Sequence, residues 1–169
     1  EPTGHHTYEL PETHLPQGRF DAHAERVIRG ELLPRTGGCT FCIFRYQTFE
    51  TRPTQELIER TVLQVRYLRE TYGILNIALQ SENPFHFLIP LLEQLHSDGI
   101  RLHQIHLRTT VLALLGNKKT FEEAVLLAGP RGTRLSLVGI GFESFDQDSL
   151  DLFNKGVTVE MNIEAMAFL

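Results

Sequence analysis

The chain is poor in cysteine, in net charge and in long apolar runs. Only two Cys, Cys39 and Cys42, occur among its 169 residues. Two are too few for a disulfide scaffold, and a Cys-x-x-Cys pair in a chain that is not secreted points to metal or redox chemistry. The polar, His-rich start does not read as a signal peptide. The longest apolar runs, such as Val111 to Leu115, fall far below the ~18 residues that a membrane span needs. The net charge is −5 and the sequence pI is about 5.9, so there is no overall nucleic-acid footprint. Charged residues are 22% of the chain, too few for general disorder.

What remains is globular. Hydrophobic residues are 41% of the chain, and a chain of this length buries roughly 70% of its unfolded surface. Residues 1–25, with Pro2, Pro11, Pro16, Gly4 and Gly18, read as an irregular lead-in or linker. From Arg26 onward, short β-rich runs alternate with amphipathic helices. Strands are expected at 26–34, 74–80, 101–108 and 134–141. Helices are expected at 54–72, 85–98 and 121–128, with Leu57, Thr61, Val65, Leu68 and Tyr72 on one face of the first. Thr54, Asp146 and Thr158 are candidate N-caps, Gly73 a C-cap, and Thr120 with Glu123 has capping-box spacing. The alternation predicts an α/β fold of about four βα units on a parallel sheet. Ligands in such folds sit beyond the carboxyl ends of the strands. That points to the Cys loop, Ser81 to Pro84, Arg108 to Thr110 and Phe142 to Phe145.

Cys39-Thr40-Phe41-Cys42 is the sharpest local signal. Two thiolates at this spacing reach one metal or two irons of a cluster. Gly37 and Gly38 let the backbone approach a bulky inorganic group. A pair of buried, inert Cys is the plainer alternative. A zinc site would need His donors, because no second Cys-x-x-Cys exists. His103 and His106 lie three apart in a strand pattern, on opposite faces, and so do not share a metal.

The ordered series Gly38-Cys39-Thr40-Phe41-Cys42, Arg52-Pro53, Tyr72-Gly73-Ile74, Gly139 to Ser144, Leu150 and Asn154-Lys155-Gly156-Val157-Thr158 resembles the radical S-adenosylmethionine (radical SAM) superfamily. The nearest branch is the one with methylthiotransferases and cobalamin-dependent enzymes. The resemblance covers residues 26–169 and implies a partial (β/α)6 barrel whose C-terminal part is missing. It implies a cytoplasmic enzyme core that binds a [4Fe-4S] cluster and SAM. Reductive cleavage of SAM would give a 5′-deoxyadenosyl radical or transfer a methyl group, with electrons from an external donor. The substrate would be a small molecule or cofactor precursor, and a cobalamin domain would lie outside this chain. The same resemblance makes Cys39 and Cys42 cluster ligands. It sets Phe41 near the adenine, Ser81 and Glu82 near the SAM ammonium, Arg108 near the carboxylate or ribose, and Glu143 near the ribose hydroxyls or amino group. Plainer readings stand beside these: Glu82 as a helix cap, Arg108 as a solvated strand end, Glu143 paired with a neighbouring Lys or Arg.

The chain departs from the family pattern at Arg35, four residues before Cys39, where the first cluster Cys is expected. A guanidinium stays protonated and has no lone pair for iron. A replaced residue, a non-Cys ligand such as His23, a Cys from outside the chain, or loss of the cluster would each account for it. Two further readings therefore stay open: a degenerate, non-catalytic binding or assembly domain, and a zinc module of Cys39, Cys42 and lead-in His.

Overall fold

The structure is a computed structural model that describes residues 54–81, 83–153 and 155–169. The expected strand at 26–34 and the lead-in lie outside the described residues. The chain divides into two compact units, one of them Arg52–Gly141 and the other containing Phe142–Leu169.

The first unit is α/β. Helix α1 (Thr54–Tyr72) includes Thr54, which is therefore a helical residue rather than its cap. The helix buries Ile58, Val62 and Val65, while Tyr72 of the expected stripe is exposed. The buried face is thus turned from the expected one. The β-branched aliphatics at i, i+4 and i+7 form a better apolar stripe than one that includes Thr61 and Tyr72. Gly73, at φ +66°, closes the helix, and its N–H donates to the Arg69 carbonyl at 2.9 Å.

Strand β1 (Asn76–Ala78) is shorter than expected. Helix α2 (Phe85–Ser97) buries Phe85, Phe87, Leu88, Leu91, Leu92 and Leu95, which makes it apolar on most sides and central to the core. It packs against α1. Its end is a glycine motif: the Gly99 N–H donates to the His96 carbonyl and the Ile100 N–H to the Leu95 carbonyl, with Gly99 at φ +67°. Arg66 of α1 pairs with Asp98 at this end, and Gln94 donates to the same carboxylate at 2.8 Å.

Strand β2 (Gln104–Thr110) extends two residues past the expected end. Thr110 then caps α3 (Val111–Gly116), its hydroxyl accepting from the Ala113 N–H at 3.2 Å. This helix was not expected, because a continuous apolar run has no helical period. Helix α4 (Lys118–Ala128) starts before the expected capping box. Asn117 donates back to the Ala113 carbonyl at 2.8 Å, which joins α3 to α4 and leaves Thr120 inside the first turn. Strand β3 (Arg134–Gly141) has the expected bounds.

The sheet is parallel, with order β1-β2-β3. Both connections step the same way across it, so right-handed crossovers place α2, α3 and α4 on one face. On that side β2 buries Ile105, Leu107 and Thr109. The pairing shifts between Leu107 and Arg108: Leu107 faces Leu137, but Arg108 faces Gly139, and Val138 is bulged out.

In the second unit, α5 (Gln147–Leu152) and α6 (Val159–Phe168) each carry the cap expected from sequence. Asp146 accepts from the Ser149 N–H at 2.9 Å. Thr158 accepts from the Met161 N–H at 3.3 Å. Leu150, Val157 and Ala165 are its buried apolar residues among those described. No helix among the described residues is long and apolar enough to cross a membrane.

Candidate functional site

Parallel sheets are ordinarily covered on both faces and read as continuous apolar runs. This one is apolar on one face only. The register aligns Asn76, Gln104 and Arg134 in one row, then Ala78, His106 and Ser136, then Arg108 and Gly139. In-register neighbours share a face, so the side opposite the helices is a polar surface. Arg134 donates to Gln104 at 2.9 Å across it. The His106 Nδ1 atom is buried there without a hydrogen-bond partner.

Arg108 is exposed on this face, but it lies inside β2 rather than after it. Its guanidinium donates to Gln80 at 3.4 Å, just past β1. The bulge at Val138 is what brings Gly139 beneath it. A Cβ at Gly139 would meet the Arg108 Nε at 3.3 Å, so the missing side chain lets the arginine lie across β3. Arg108 is therefore held by geometry, with N–H donors left for an anionic group.

Ser81 is half-buried after β1. Its neighbour Glu82 lies outside the described residues. The α2 entrance is served by Asn83, whose side-chain oxygen accepts from the Phe85 N–H at 3.3 Å.

The second centre is the turn directly after β3 in the chain. Glu143 has φ 63°, the one positive φ on a non-glycine among the described residues. The Ser144 N–H donates to the Phe142 carbonyl at 2.8 Å, making a γ-turn of the rare, strained, positive-φ kind. Strain of this sort costs of order 1–3 kcal/mol and clusters at functional positions. Lys155, whose side chain is 9% exposed, pairs with Glu143 Oε1 at 3.0 Å. The plainer reading of Glu143, a pair with a neighbouring cation, thus describes its contact. The Phe142 and Phe145 rings flank the turn, with centroids 5.7 Å apart.

Asn162 anchors that turn from α6. It is fully buried, with 0% exposure. Its amino group donates to the Phe142 carbonyl at 3.1 Å and the Ser144 carbonyl at 2.7 Å. Both partners are acceptors, so only the NH₂ side of the carboxamide fits toward them. The outward oxygen, Oδ1, is buried with no partner, a cost of about 1–3 kcal/mol. Next to the turn, Asp146 is held below the usual carboxylate range by donors from the Ser149 hydroxyl and N–H. Glu160 is likewise lowered by its own N–H and the Thr158 hydroxyl.

Arg108 belongs to the first unit, whereas Glu143, Lys155 and Asn162 belong to the second. Cys39, Cys42, Phe41, Arg35 and the lead-in His lie outside the described residues, so the cluster and zinc readings both fall there. Among the described residues, no three His, Cys, Asp or Glu gather as a metal site. The donor chemistry of the chain can still be tested. A [4Fe-4S] cluster with one iron open to SAM needs three protein donors; the Cys loop brings two thiolates, with a protonated arginine at the third expected place. The loop is therefore one donor short, and a third would have to come from elsewhere. Sequence reasoning missed Gly139 and Asn162 as site residues. Gly139 matters only through the bulge, and Asn162 only through two backbone carbonyls, neither of which leaves a local pattern. No family model matches the chain, and no curated protein or solved structure does either.

Proposed function

We propose that this chain is a radical SAM enzyme core that binds SAM along the polar face and carboxyl edge of its parallel sheet. The two-faced sheet carries the reading. A parallel sheet covered by helices on one face and polar on the other departs from the doubly covered pattern and leaves polar side chains free to meet a ligand near the carboxyl ends of its strands. Here Ile105 and Leu107 supply the first, and Gln104, His106 and Arg108 the second. Arg108 offers a guanidinium to the SAM carboxylate. For Glu143, in the other unit, the resemblance alone implies the ribose hydroxyls or the ammonium. Ser81 and Glu82 follow β1 where the ammonium would lie, and Phe41 would sit near the adenine. Cys39 and Cys42 would contribute two ligands to a [4Fe-4S] cluster, the third coming from a donor other than Arg35. An external electron donor, a small-molecule or cofactor-precursor substrate and a cytoplasmic setting follow from the same reading.

Arg35 favours a second reading, a degenerate domain that keeps the fold for binding or assembly without the cluster. Anaerobic reconstitution with iron and sulfide, followed by calorimetry with SAM, separates the two. The enzyme reading expects cluster absorbance that Cys39→Ala abolishes, together with SAM binding. A chain that gives neither a cluster nor SAM binding selects the degenerate domain.

A further inference from the structure

We propose that Asn162 is a positioning residue that sets the Glu143 turn and so presents the Glu143 carboxylate to the ligand. This deepens the SAM reading above and rests on it.

Three observations converge. First, Glu143 holds a φ of 63° that glycine adopts without strain, and an L side chain rarely does. Among the described residues, the other positive-φ positions are all glycine: Gly73, Gly99, Gly132 and Gly156. A carboxylate kept where glycine would serve the turn better points to a use for that carboxylate. Second, the carbonyls on both sides of Glu143 are held by one carboxamide, at 3.1 and 2.7 Å. Those two bonds hold the peptide that enters Glu143 and the one that leaves Ser144, so the turn is pinned at both ends, while the Ser144 N–H closes it onto the Phe142 carbonyl. Third, the carboxamide serves the turn at the expense of its own oxygen, which is buried without a donor. A residue serving only the core would be apolar at a position with 0% exposure.

The consequence is a carboxylate with a defined direction. Lys155 takes Oε1 at 3.0 Å, and Oε2 is not part of that pair. A rigid acceptor beside a paired cation suits a ligand rich in hydroxyl or ammonium donors. Loss of Asn162 frees the turn to relax toward negative φ, and the carboxylate loses its direction.

The test is a double-mutant cycle between Asn162→Ala and Glu143→Gln, read by calorimetric SAM affinity, with Asn162→Ser in place of the alanine should that variant not fold. Removing Asn162 is expected to weaken SAM about tenfold, comparable to one charge-assisted contact. In the Glu143→Gln background the same change is expected to cost nothing further, because the contact it served is already gone. A general loss of folding would lower affinity equally in both backgrounds. In parallel, the φ-dependent HN–Hα coupling of Glu143 is expected to shift in the Asn162 variant. An unchanged coupling overturns the proposal, as does a loss that persists in the Glu143→Gln background while the parent chain binds SAM. A parent chain that binds no SAM overturns the proposed function and this presentation of Glu143 together.

Discussion

The two faces of strand β2 divide its labour. Toward the helices, Ile105 and Leu107 are 0% exposed and belong to the core built by α2, α3 and α4. Away from them, Gln104 and His106 are half-buried and Arg108 is exposed. Alternation along one strand therefore separates residues that hold the fold from residues available to a ligand. Substitutions on the first face are expected to change stability, and those on the second to change binding.

The largest effect should come from Leu107→Ala. Truncating a buried leucine removes its transfer energy and leaves a cavity, together about 2–5 kcal/mol. Urea denaturation would measure it, and a loss below about 1 kcal/mol would break the distinction between faces. Next is Thr110→Ala at the carboxyl end of β2. It removes the cap of α3 and should cost about 1 kcal/mol in the same experiment. Thr110 thus marks where the strand's polar row returns to structural work.

Arg108→Ala and Gly139→Ala should each fall within about 0.5 kcal/mol, the range of surface changes. Their effect belongs to binding. A methyl at Gly139 pushes against the Arg108 Nε, a flexible neighbour that yields, so both variants should weaken SAM in calorimetry while melting like the parent. A Gly139→Ala chain that binds as well as the parent would show that the arginine's placement across β3 is immaterial.

The smallest effect is a pH dependence confined to the second unit. Asp146 is lowered by its Ser149 donors, so the folded state binds this proton less readily than the unfolded one. Its contribution is present above the unfolded carboxyl value of 3.8 and is lost as pH falls through the lower folded value. Acid melts of Asp146→Asn, which keeps a capping oxygen without the charge, should show a flatter decline than the parent over that window. Equal declines would remove Asp146 from the account.

The elements were legible where a local rule sets them. The amphipathic run 54–72, the strand 134–141 and the Asp146 and Thr158 caps have the expected places. The errors fall where neighbours decide. The strand expected at 74–80 narrows to Asn76–Ala78, because pairing with β2, rather than apolar content, defines its length. Helix α3 was hidden in an apolar run, which reads alike as strand or buried helix. Arg108 and Glu143 were named through the family resemblance, within the segments after strands where an α/β pattern puts ligands. Lys155 was visible as part of a motif, but its pairing with Glu143 spans twelve residues. Asn162 gave no signal, since an asparagine in the first turns of a helix is ordinary.

By itself, the sequence determined the alternation of strand and helix, the caps and the residues from which a polar edge is built. These follow from side-chain period and from hydrogen bonds between near neighbours, which act within a few residues. Only the tertiary structure decided that β3 bulges at Val138 to set Gly139 under Arg108, and that Asn162 grips the turn at Glu143. Both depend on atoms far apart in the chain meeting at hydrogen-bond or van der Waals distance, and no local pattern encodes such a meeting.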